Sequence, residues 1–153
     1  MANETPASSS QNPALPPEKN HDWIKVSAGV VFRHGLLLIT RRPAGSHLGG
    51  LWEFPGGKCQ PGETDEDCLK RELMEELGIE VAILELLDTI EHVYPEKAVR
   101  LKFLRCTWRK NEPQAIGCHD FAWIGAKQLS DYQFPEADTQ LLQKLRDAPQ
   151  LWR

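Results

Sequence analysis

The sequence lacks three features that would each assign a class of protein directly: a long apolar run, an excess of positive charge and a framework of paired cysteines. No segment of the 153 residues is apolar over the length of a membrane span or of a signal-peptide core. A formal net charge of -4 disfavours the broad basic surface with which proteins bind polymeric nucleic acid. We therefore expect a cytosolic protein that binds neither a membrane nor polymeric nucleic acid.

Cysteine is scarce, and its spacing indicates neither a disulfide framework nor a zinc site. No C-x-x-C pair occurs, and no histidine stands nearby at zinc-finger spacing; the four cysteines are Cys59, Cys68, Cys106 and Cys118. Reduced thiols are the expectation that follows.

Large apolar side chains are almost absent from the first 22 residues, which hold four prolines and three consecutive serines. Such a segment cannot bury enough apolar surface to offset the entropy lost on ordering, so we expect residues 1–22 to be disordered. The remaining chain, residues 23–153, has the length of one globular domain, and the overall content of 41% hydrophobic and 26% charged residues is ordinary for one.

From Trp23 onward, the residue pattern predicts both strands and helices. The runs IKVSAGVVF and LLLITRR flank a turn at 33–35 and predict a β-hairpin, and a loop rich in glycine and proline follows. A helix is predicted between an N-cap at Thr64 and a C-terminal glycine at Gly78. Three further strands and a last helix, from Pro135 to about Arg146, give the order β-β-loop-α-β-β-β-α, which indicates an α/β sandwich on a mixed sheet.

Three glutamates of the first predicted helix, Glu72, Glu75 and Glu76, are spaced i, i+3 and i+4, so they share one helix face. Clustered carboxylates raise one another's pKa unless a cation neutralises them. Mg²⁺ prefers hard oxygen ligands and is commonly shared between carboxylates and substrate phosphates. The alternative is a solvated acidic face without a ligand, and an E-x-x-E-E motif by itself favours that alternative.

The residues around these glutamates decide between the two interpretations. The sequence matches the Nudix signature without interruption: five residues separate Gly57 from Glu63, and seven more separate Glu63 from the segment 71–79 (RELMEELGI). By chance such a match is expected on the order of once in 10⁷ chains of this length. The chain therefore resembles the Nudix hydrolase family, and ITRRPAGSHLGGLWEFPGGK, Trp123 and YQFPEAD resemble its MutT branch. The resemblance extends over about residues 24–146.

The resemblance implies a fold and a metal site. The fold would be the Nudix α/β/α sandwich, with a mixed β-sheet and the Nudix loop-helix-loop. Catalytic Mg²⁺, with Mn²⁺ as a substitute, would be bound by the carbonyl of Gly56 and by the helix glutamates Glu72, Glu75 and Glu76. Glu63 and Arg71 would support the loop and the helix.

Two details of the catalytic centre stay open. MutT-like enzymes often carry a further glutamate just before the later strand, but Gly117 stands at the aligned place here. Asp120 is the nearest acid, and either it substitutes or the box acids suffice. Spacing also does not decide whether Glu72 or Glu76 takes the proton from the attacking water.

Residues outside the helix are predicted to contact the substrate. Adjacent residues of a strand point to opposite faces, so only one of Arg41 and Arg42 can enter the cleft, and the resemblance favours Arg42 as a phosphate contact. Lys58 is a second candidate for a phosphate contact, with surface exposure as the alternative. His47 and Phe54 are candidates for nucleoside contacts, with an exposed loop histidine and ordinary core packing as the respective alternatives.

Asp138 aligns with an asparagine that reads the oxidised guanine in MutT. An ionised aspartate only accepts hydrogen bonds, so it selects bases that present donors. N7–H of 8-oxoguanine and the amino groups of cytosine and adenine all meet that condition. The alternative is that Asp138 caps the last helix.

The expected function is Mg²⁺-dependent hydrolysis of (deoxy)nucleoside triphosphates to monophosphate and pyrophosphate, which would remove 8-oxo-dGTP or a related modified nucleotide from the pool and so serve DNA repair. An alternative enzyme prefers CTP or a modified pyrimidine, and other Nudix branches cleave ADP-sugars or dinucleoside polyphosphates. A non-catalytic nucleotide-binding Nudix module would be expected to have a broken box, and this box is whole. A Ca²⁺-binding helix is disfavoured because the sequence has no twelve-residue EF-hand loop. The partner is a small nucleotide, and the choice between monomer and homodimer stays open.

Overall fold

The computed structural model describes residues 22–46 and 48–153. The predicted disordered tail lies outside the described residues except for Asp22, and His47 lies outside them as well. In the described ranges the strands are β1 (Trp23–Arg33), β2 (Leu36–Arg41), β3 (Trp52–Glu53), β4 (Gly56–Lys58), β5 (Glu80–Val93), β6 (Ala98–Lys110) and β7 (Asp120–Ile124). The α-helices are α1 (Asp65–Leu77) and α2 (Thr139–Asp147), and short 3₁₀ helices cover Ala126–Asp131, Glu136–Asp138 and Pro149–Trp152.

The described strands form one seven-stranded sheet with the order β3-β2-β1-β6-β5, in which β4 also pairs with β1 and β7 with β2. β1 and β6 run parallel from Trp23 opposite Ala98 to Phe32 opposite Thr107. The other neighbouring strands run antiparallel. The prediction of a mixed sheet is therefore confirmed.

The predicted hairpin is formed by β1 and β2, with Val31 opposite Leu38. His34 and Gly35 connect the strands with φ angles of 50° and 79°. Two successive residues with positive φ give a turn whose twist matches that of the paired strands, and glycine adopts such angles without a steric cost.

Alternate residues of β1 face opposite sides of the sheet, and each side is covered by one helix. Val30 and Phe32 belong to a core cluster that includes three leucines of α2, which are Leu141, Leu142 and Leu145. Val31 belongs to a second cluster that includes three leucines of α1, which are Leu69, Leu73 and Leu77. The architecture is thus the predicted α/β/α sandwich.

α1 begins and ends where the sequence predicts. The Thr64 side chain accepts a hydrogen bond from the backbone N–H of Asp67 at 3.1 Å, and Gly78 ends the helix with a φ of 72°. Its backbone N–H donates to the carbonyl of Met74 at 3.0 Å. Between these two ends the leucine face is buried against the sheet, whereas Glu72 and Glu76 lie partly buried beside it and Glu75 is exposed.

The expectation of reduced thiols is wrong for two of the four cysteines. Cys59 and Cys68 form a disulfide bond, whereas Cys106 and Cys118 are free. The pairing arises because β4 pairs with β1, so that the N–H of Cys59 donates to the carbonyl of Lys25 at 2.8 Å. This places Cys59 beside the first turns of α1, with 5.1 Å between the two Cα atoms, although nine positions separate the cysteines in sequence.

The predicted loop between β2 and α1 is confirmed for most of its length, but it contains β3 and β4, which sequence reasoning did not separate from it. No helix in the described part of the chain is long and apolar enough to cross a membrane.

Candidate active site

A pocket of about 490 Å³ gathers most of the residues that the sequence singled out. Its volume lies in the range of small-ligand sites. The predicted residues that line it are Arg42, Phe54, Gly56, Lys58, Glu72, Glu76 and Asp138. The remaining lining residues come mainly from β1, β6 and the segment before α2, and they are Val26, Ala28, Leu48, Glu53, Gly57, Leu101, Phe103, Pro135 and Ala137.

Arg71 ties the loop after β4 to α1. Its guanidinium donates to both carboxylate oxygens of Glu63, at 2.7 and 2.9 Å, to the carbonyl of Lys58 at 3.0 Å and to Glu72 at 3.0 Å. Glu63 also accepts from the N–H of Gln60 at 2.7 Å. Arg71 and this N–H together hold the pKa of Glu63 at about 2, well below its ordinary value. Arg71 and Glu63 thus make the contacts expected of residues that support the loop and the helix.

The three helix glutamates differ in their surroundings. Glu72 and Glu76 line the pocket, whereas Glu75 is exposed and contacts Arg71 at 3.2 Å. Arg71 therefore holds two of the three carboxylates, Glu72 and Glu75, on one side chain. Among residues 22–46 and 48–153, no three acidic, histidine or cysteine side chains converge as a ready metal site.

The carboxylate of Glu76 is the most perturbed acid of α1. Burial raises its pKa to about 8, and the negative charges of Glu53 and Glu72 add to that effect. The backbone N–H of Gly56, which donates to Glu76 at 3.4 Å, offsets only part of it. Negative charge that lacks sufficient compensation inside a pocket is the condition under which a cation binds favourably.

Two adjacent glycines let the backbone of β4 approach both β1 and α1. A Cβ atom at Gly57 would overlap the carboxylate of Glu72, and a Cβ atom at Gly56 would overlap the carbonyl of Ser27. A side chain at Gly57 would displace the carboxylate of Glu72, and a side chain at Gly56 would push β4 away from the backbone of β1. The two glycines therefore allow the backbone of β1 and the carboxylate of Glu72 to lie directly against β4.

The two adjacent arginines at the end of β2 point in different directions. Arg41 is exposed and donates to the carbonyl of Gly50 at 3.1 Å, whereas Arg42 lines the pocket. Arg42 also forms an ion pair at 3.0 Å with Glu53, an acid that sequence reasoning missed. The sequence offered one signal for Glu53, which is its position in EFPGG, three residues before the glycines of the pocket wall.

Asp138 is only 5% exposed, and its carboxylate makes no capping hydrogen bond although the residue stands at the N-cap position of α2. The capping alternative is thus not supported by the geometry. Burial, followed by the negative charge of Glu53, raises the pKa of Asp138 to about 7. The pocket therefore holds a buried carboxyl group that titrates near neutral pH.

Phe54 fits both of its alternatives, because it lines the pocket and also belongs to the core cluster beneath it. Its ring stacks on that of Phe134 at a centroid distance of 5.4 Å and forms a T-shaped pair with the ring of Phe103 at 5.6 Å. Lys58 lines the pocket and is largely exposed to solvent.

The segment in which MutT-like enzymes carry a further glutamate lies against the C-terminal end of α1. The N–H groups of Ile116 and Gly117 donate to the carbonyl of Glu76 at 3.1 and 3.0 Å. A Cβ atom at Gly117 would lie 3.3 Å from the Cα of Glu76, so position 117 directly adjoins a pocket acid. Asp120 is exposed and does not line the pocket. Its carboxylate accepts from the N–H of Phe121 at 2.8 Å.

Comparison with known proteins agrees with this geometry. The model of the NUDIX domain family matches residues 27–144. The chain belongs to the Nudix family. The predicted fold and the prediction of a Nudix hydrolase are thereby confirmed, and Nudix hydrolases generally use divalent metals.

Several relatives of this Nudix hydrolase are similar to it over most of their own length. An 8-oxo-dGTP diphosphatase of Proteus vulgaris is 47% identical over 90 residues, which are 58% of this chain and 80% of the relative. An 8-oxo-dGTP diphosphatase of Haemophilus influenzae is 35% identical over 80% of this chain and 90% of its own length. A CTP pyrophosphohydrolase of Escherichia coli is 34% identical over 78% of this chain and 89% of its own length.

A solved structure supports the same assignment of the fold. The solution structure of the Escherichia coli ORF135 protein superposes with a TM-score of 0.72 at 32% identity, over 85% of this chain and 95% of that one.

Proposed function

We propose that this Nudix hydrolase cleaves (deoxy)nucleoside triphosphates to monophosphate and pyrophosphate with Mg²⁺, and that its substrate is 8-oxo-dGTP or a related modified nucleotide. The observation that carries the proposal is the shared pocket, in which Glu72 and Glu76 of the Nudix box accompany the buried acceptor Asp138. One pocket thus offers ligands for a metal-bound phosphate chain and an acceptor for a base. The names of the two diphosphatase relatives support the choice of nucleotide.

The residues present fit a Mg²⁺ ion. Glu72, Glu76 and Gly56 line the same pocket and carry the hard oxygen atoms that Mg²⁺ prefers. The positive charge of Arg42 is too weak to keep the pKa of Glu76 low. Mg²⁺ is usually held by one or two carboxylates, waters and substrate phosphates, so a complete protein cage is not required. When bound, the metal would neutralise phosphate charge and make a water molecule more acidic. Mn²⁺ is the expected substitute, and Glu75 is proposed as a further ligand.

The chain's own residues would supply position and charge for the attack of water on phosphorus. Arg71 keeps Glu72 in place, and its hydrogen bonds to Glu63 and to the carbonyl of Lys58 hold the loop after β4 against α1. Lys58 and Arg42 would contact the phosphates. Either Glu72 or Glu76 would accept the proton from the attacking water.

Asp138 would read the base. A buried carboxylate favours partners that donate hydrogen bonds, because an unpaired buried charge is costly. Phe54 would lie beside the base, and His47 stays a proposed nucleoside contact from the resemblance alone.

A second candidate is a pyrophosphohydrolase that prefers CTP or a modified pyrimidine. It is supported by the amino group of cytosine, which donates to an acceptor such as Asp138, and by the similarity to the CTP pyrophosphohydrolase. A nucleotide-binding module without turnover has no comparable support, because the Nudix box is whole.

The test is pyrophosphate release with Mg²⁺, with kcat/KM compared for 8-oxo-dGTP, dGTP, dCTP, CTP, 5-methyl-dCTP and dATP. We expect 8-oxo-dGTP to lead by about tenfold or more, which is about 1.4 kcal/mol of transition-state discrimination. A lead by a cytosine nucleotide would establish the second candidate instead. Nucleotide binding without any release of pyrophosphate would refute the proposal. The Asp138→Asn variant should change the order of substrates if Asp138 reads the base.

A further inference from the structure

Glu53 stands out among the acids of the pocket because it belongs neither to the Nudix box nor to the site residues predicted from the sequence. The pocket is lined by four acidic residues, of which Glu72 and Glu76 belong to the box and Asp138 to the segment before α2. Glu53 is the last residue of β3 and precedes the two glycines of the pocket wall by three positions. A negative charge at this place would repel a phosphate chain unless it serves another group.

The sheet brings Glu53 and Arg42 together on one face. Thr40 lies opposite Glu53 in the antiparallel pair of β2 and β3. Arg42 follows Thr40 by two positions, so its side chain points to the same face as those of Thr40 and Glu53. The backbone N–H of Arg42 donates to the carbonyl of Leu51 at 3.0 Å, and this extends the pairing past the end of β2. The two charged side chains are therefore diagonal neighbours, a separation that long side chains can bridge.

The resulting ion pair is partly buried. Nη1 of Arg42 lies 3.0 Å from Oε1 of Glu53, and the side chains are 31% and 28% exposed. Burial raises the pKa of Glu53, and Arg42 acts in the opposite direction through its charge and its hydrogen bond. Removing Arg42 would take away the charge and the hydrogen bond that offset the burial of Glu53, which makes this pair more consequential than a fully exposed one.

The position of Glu53 also links two sides of the pocket. Its negative charge acts on Asp138 of the segment before α2 and on Glu76 of α1. Arg42, held by Glu53, thus stands close to both the proposed base contact and the proposed metal side.

We propose that Glu53 is a positioning residue of the hydrolysis, which holds the guanidinium of Arg42 in the orientation that contacts the phosphate chain of the nucleotide. The inference rests on the proposed function, since it assigns a role to Arg42 on the substrate. The inference predicts that Glu53 affects the affinity for the phosphate chain through Arg42, and this dependence separates Glu53 from an acid that binds metal or substrate by itself.

The test is a double-mutant cycle with Glu53→Ala, Arg42→Ala and the combined variant, measured as kcat and KM for the leading triphosphate. Each single variant should lose about tenfold to a hundredfold in kcat/KM, mainly through a higher KM. The combined variant should be no worse than Arg42→Ala. Glu53→Gln should recover part of the loss, because its amide oxygen can still accept from Arg42. Glu85→Ala is the matched control, since Glu85 pairs with Arg105 at 3.0 Å on the exposed surface and should leave kcat/KM unchanged.

Losses that multiply in the combined variant, or a Glu53→Ala enzyme within about twofold of the parent, would overturn the inference. The affinity of the same variants for a non-hydrolysable triphosphate analogue, measured by calorimetry with Mg²⁺, separates it from the proposed function. If the parent binds the analogue without hydrolysing any triphosphate, the proposed function fails, whereas the same non-additive pattern in Kd would still support the role of Glu53. Absence of binding by the parent would overturn both.

Discussion

Replacement of Asp138 by asparagine should stabilise the protein, and the gain should grow with pH. The folded structure raises the pKa of Asp138 from 3.8 to about 7, chiefly through burial. A group with a raised folded pKa contributes stability below its unfolded pKa and loses that contribution as the pH rises through its folded pKa. The parent protein therefore bears a growing cost between pH 4 and pH 7, which a neutral asparagine of the same shape does not bear.

The expected magnitude follows from the two pKa values. A shift of about three units corresponds to about 4 kcal/mol when the titration is complete. Between pH 5 and pH 8 the difference in unfolding free energy between the Asp138→Asn variant and its parent should increase by about 2.5 kcal/mol. For a chain of this length that amounts to roughly 5–10 °C in Tm.

The measurement is thermal or urea unfolding of both proteins at pH 5 and pH 8, at constant ionic strength and with a chelator so that metal binding does not contribute. Asp131→Asn is the control, because Asp131 is an exposed aspartate and its removal should give the same small effect at both pH values. An Asp138→Asn variant that gains equally at the two pH values, or that is less stable at pH 8, would show that Asp138 is not buried as a poorly solvated carboxyl group.

Further predictions concern the box and its supports. Glu76→Gln and Glu75→Gln should each abolish most turnover and leave circular dichroism nearly unchanged, and Glu76→Gln should also raise Tm at neutral pH because the folded structure raises the pKa of Glu76 to about 8; near-normal kcat in either variant would contradict the metal-site assignment. Gly57→Ala should lower kcat/KM by about a hundredfold because a methyl group there displaces the carboxylate of Glu72, whereas Gly45→Ala, which meets no atom within 4 Å, should have no effect. Reduction of the Cys59–Cys68 bond should lower the unfolding free energy by about 2.7 kcal/mol, since the bond closes a loop of about ten residues; unfolding that is insensitive to dithiothreitol would contradict the pairing. Chelation with EDTA should stop turnover without unfolding the protein, as read by circular dichroism.

Local signals explain why α1 and its acids could be predicted from the sequence. Thr64 and Gly78 carry the chemistry of a helix start and a helix end, and the spacing of the leucines between them sets the buried face. Once both ends and one face are fixed, Glu72 and Glu76 lie beside the leucine face at i, i+3 spacing from Leu69 and Leu73, and Glu75 lies opposite it. The hairpin was predictable for the same reason, because its turn and both strands are contiguous in sequence.

Pairings between distant segments explain what could not be predicted. The disulfide depends on β4 pairing with β1, and the ion pair of Glu53 depends on a two-residue strand inside a glycine-rich loop. Neither contact has a periodic pattern, because each arises from a register that only the assembled sheet defines. Likewise, nothing in the sequence around Asp138 shows that its carboxyl group is buried beside another acid.

Arg71 explains how so many acids can be held together before a metal binds. Its guanidinium donates hydrogen bonds to Glu63, Glu72 and Glu75 and to the carbonyl of Lys58, so the loop and the helix are joined by protein contacts alone. Glu76 is the exception, because its charge is opposed by burial and by Glu53 and Glu72 rather than balanced by Arg71. The site is thus organised for folding at Glu63 and Arg71 and left electrostatically unfavourable at Glu76, where a divalent cation would gain the most. The proposed metal site would gain affinity from an acid that does not contribute to the stability of the fold, and for this reason metal removal should affect turnover and fold so differently.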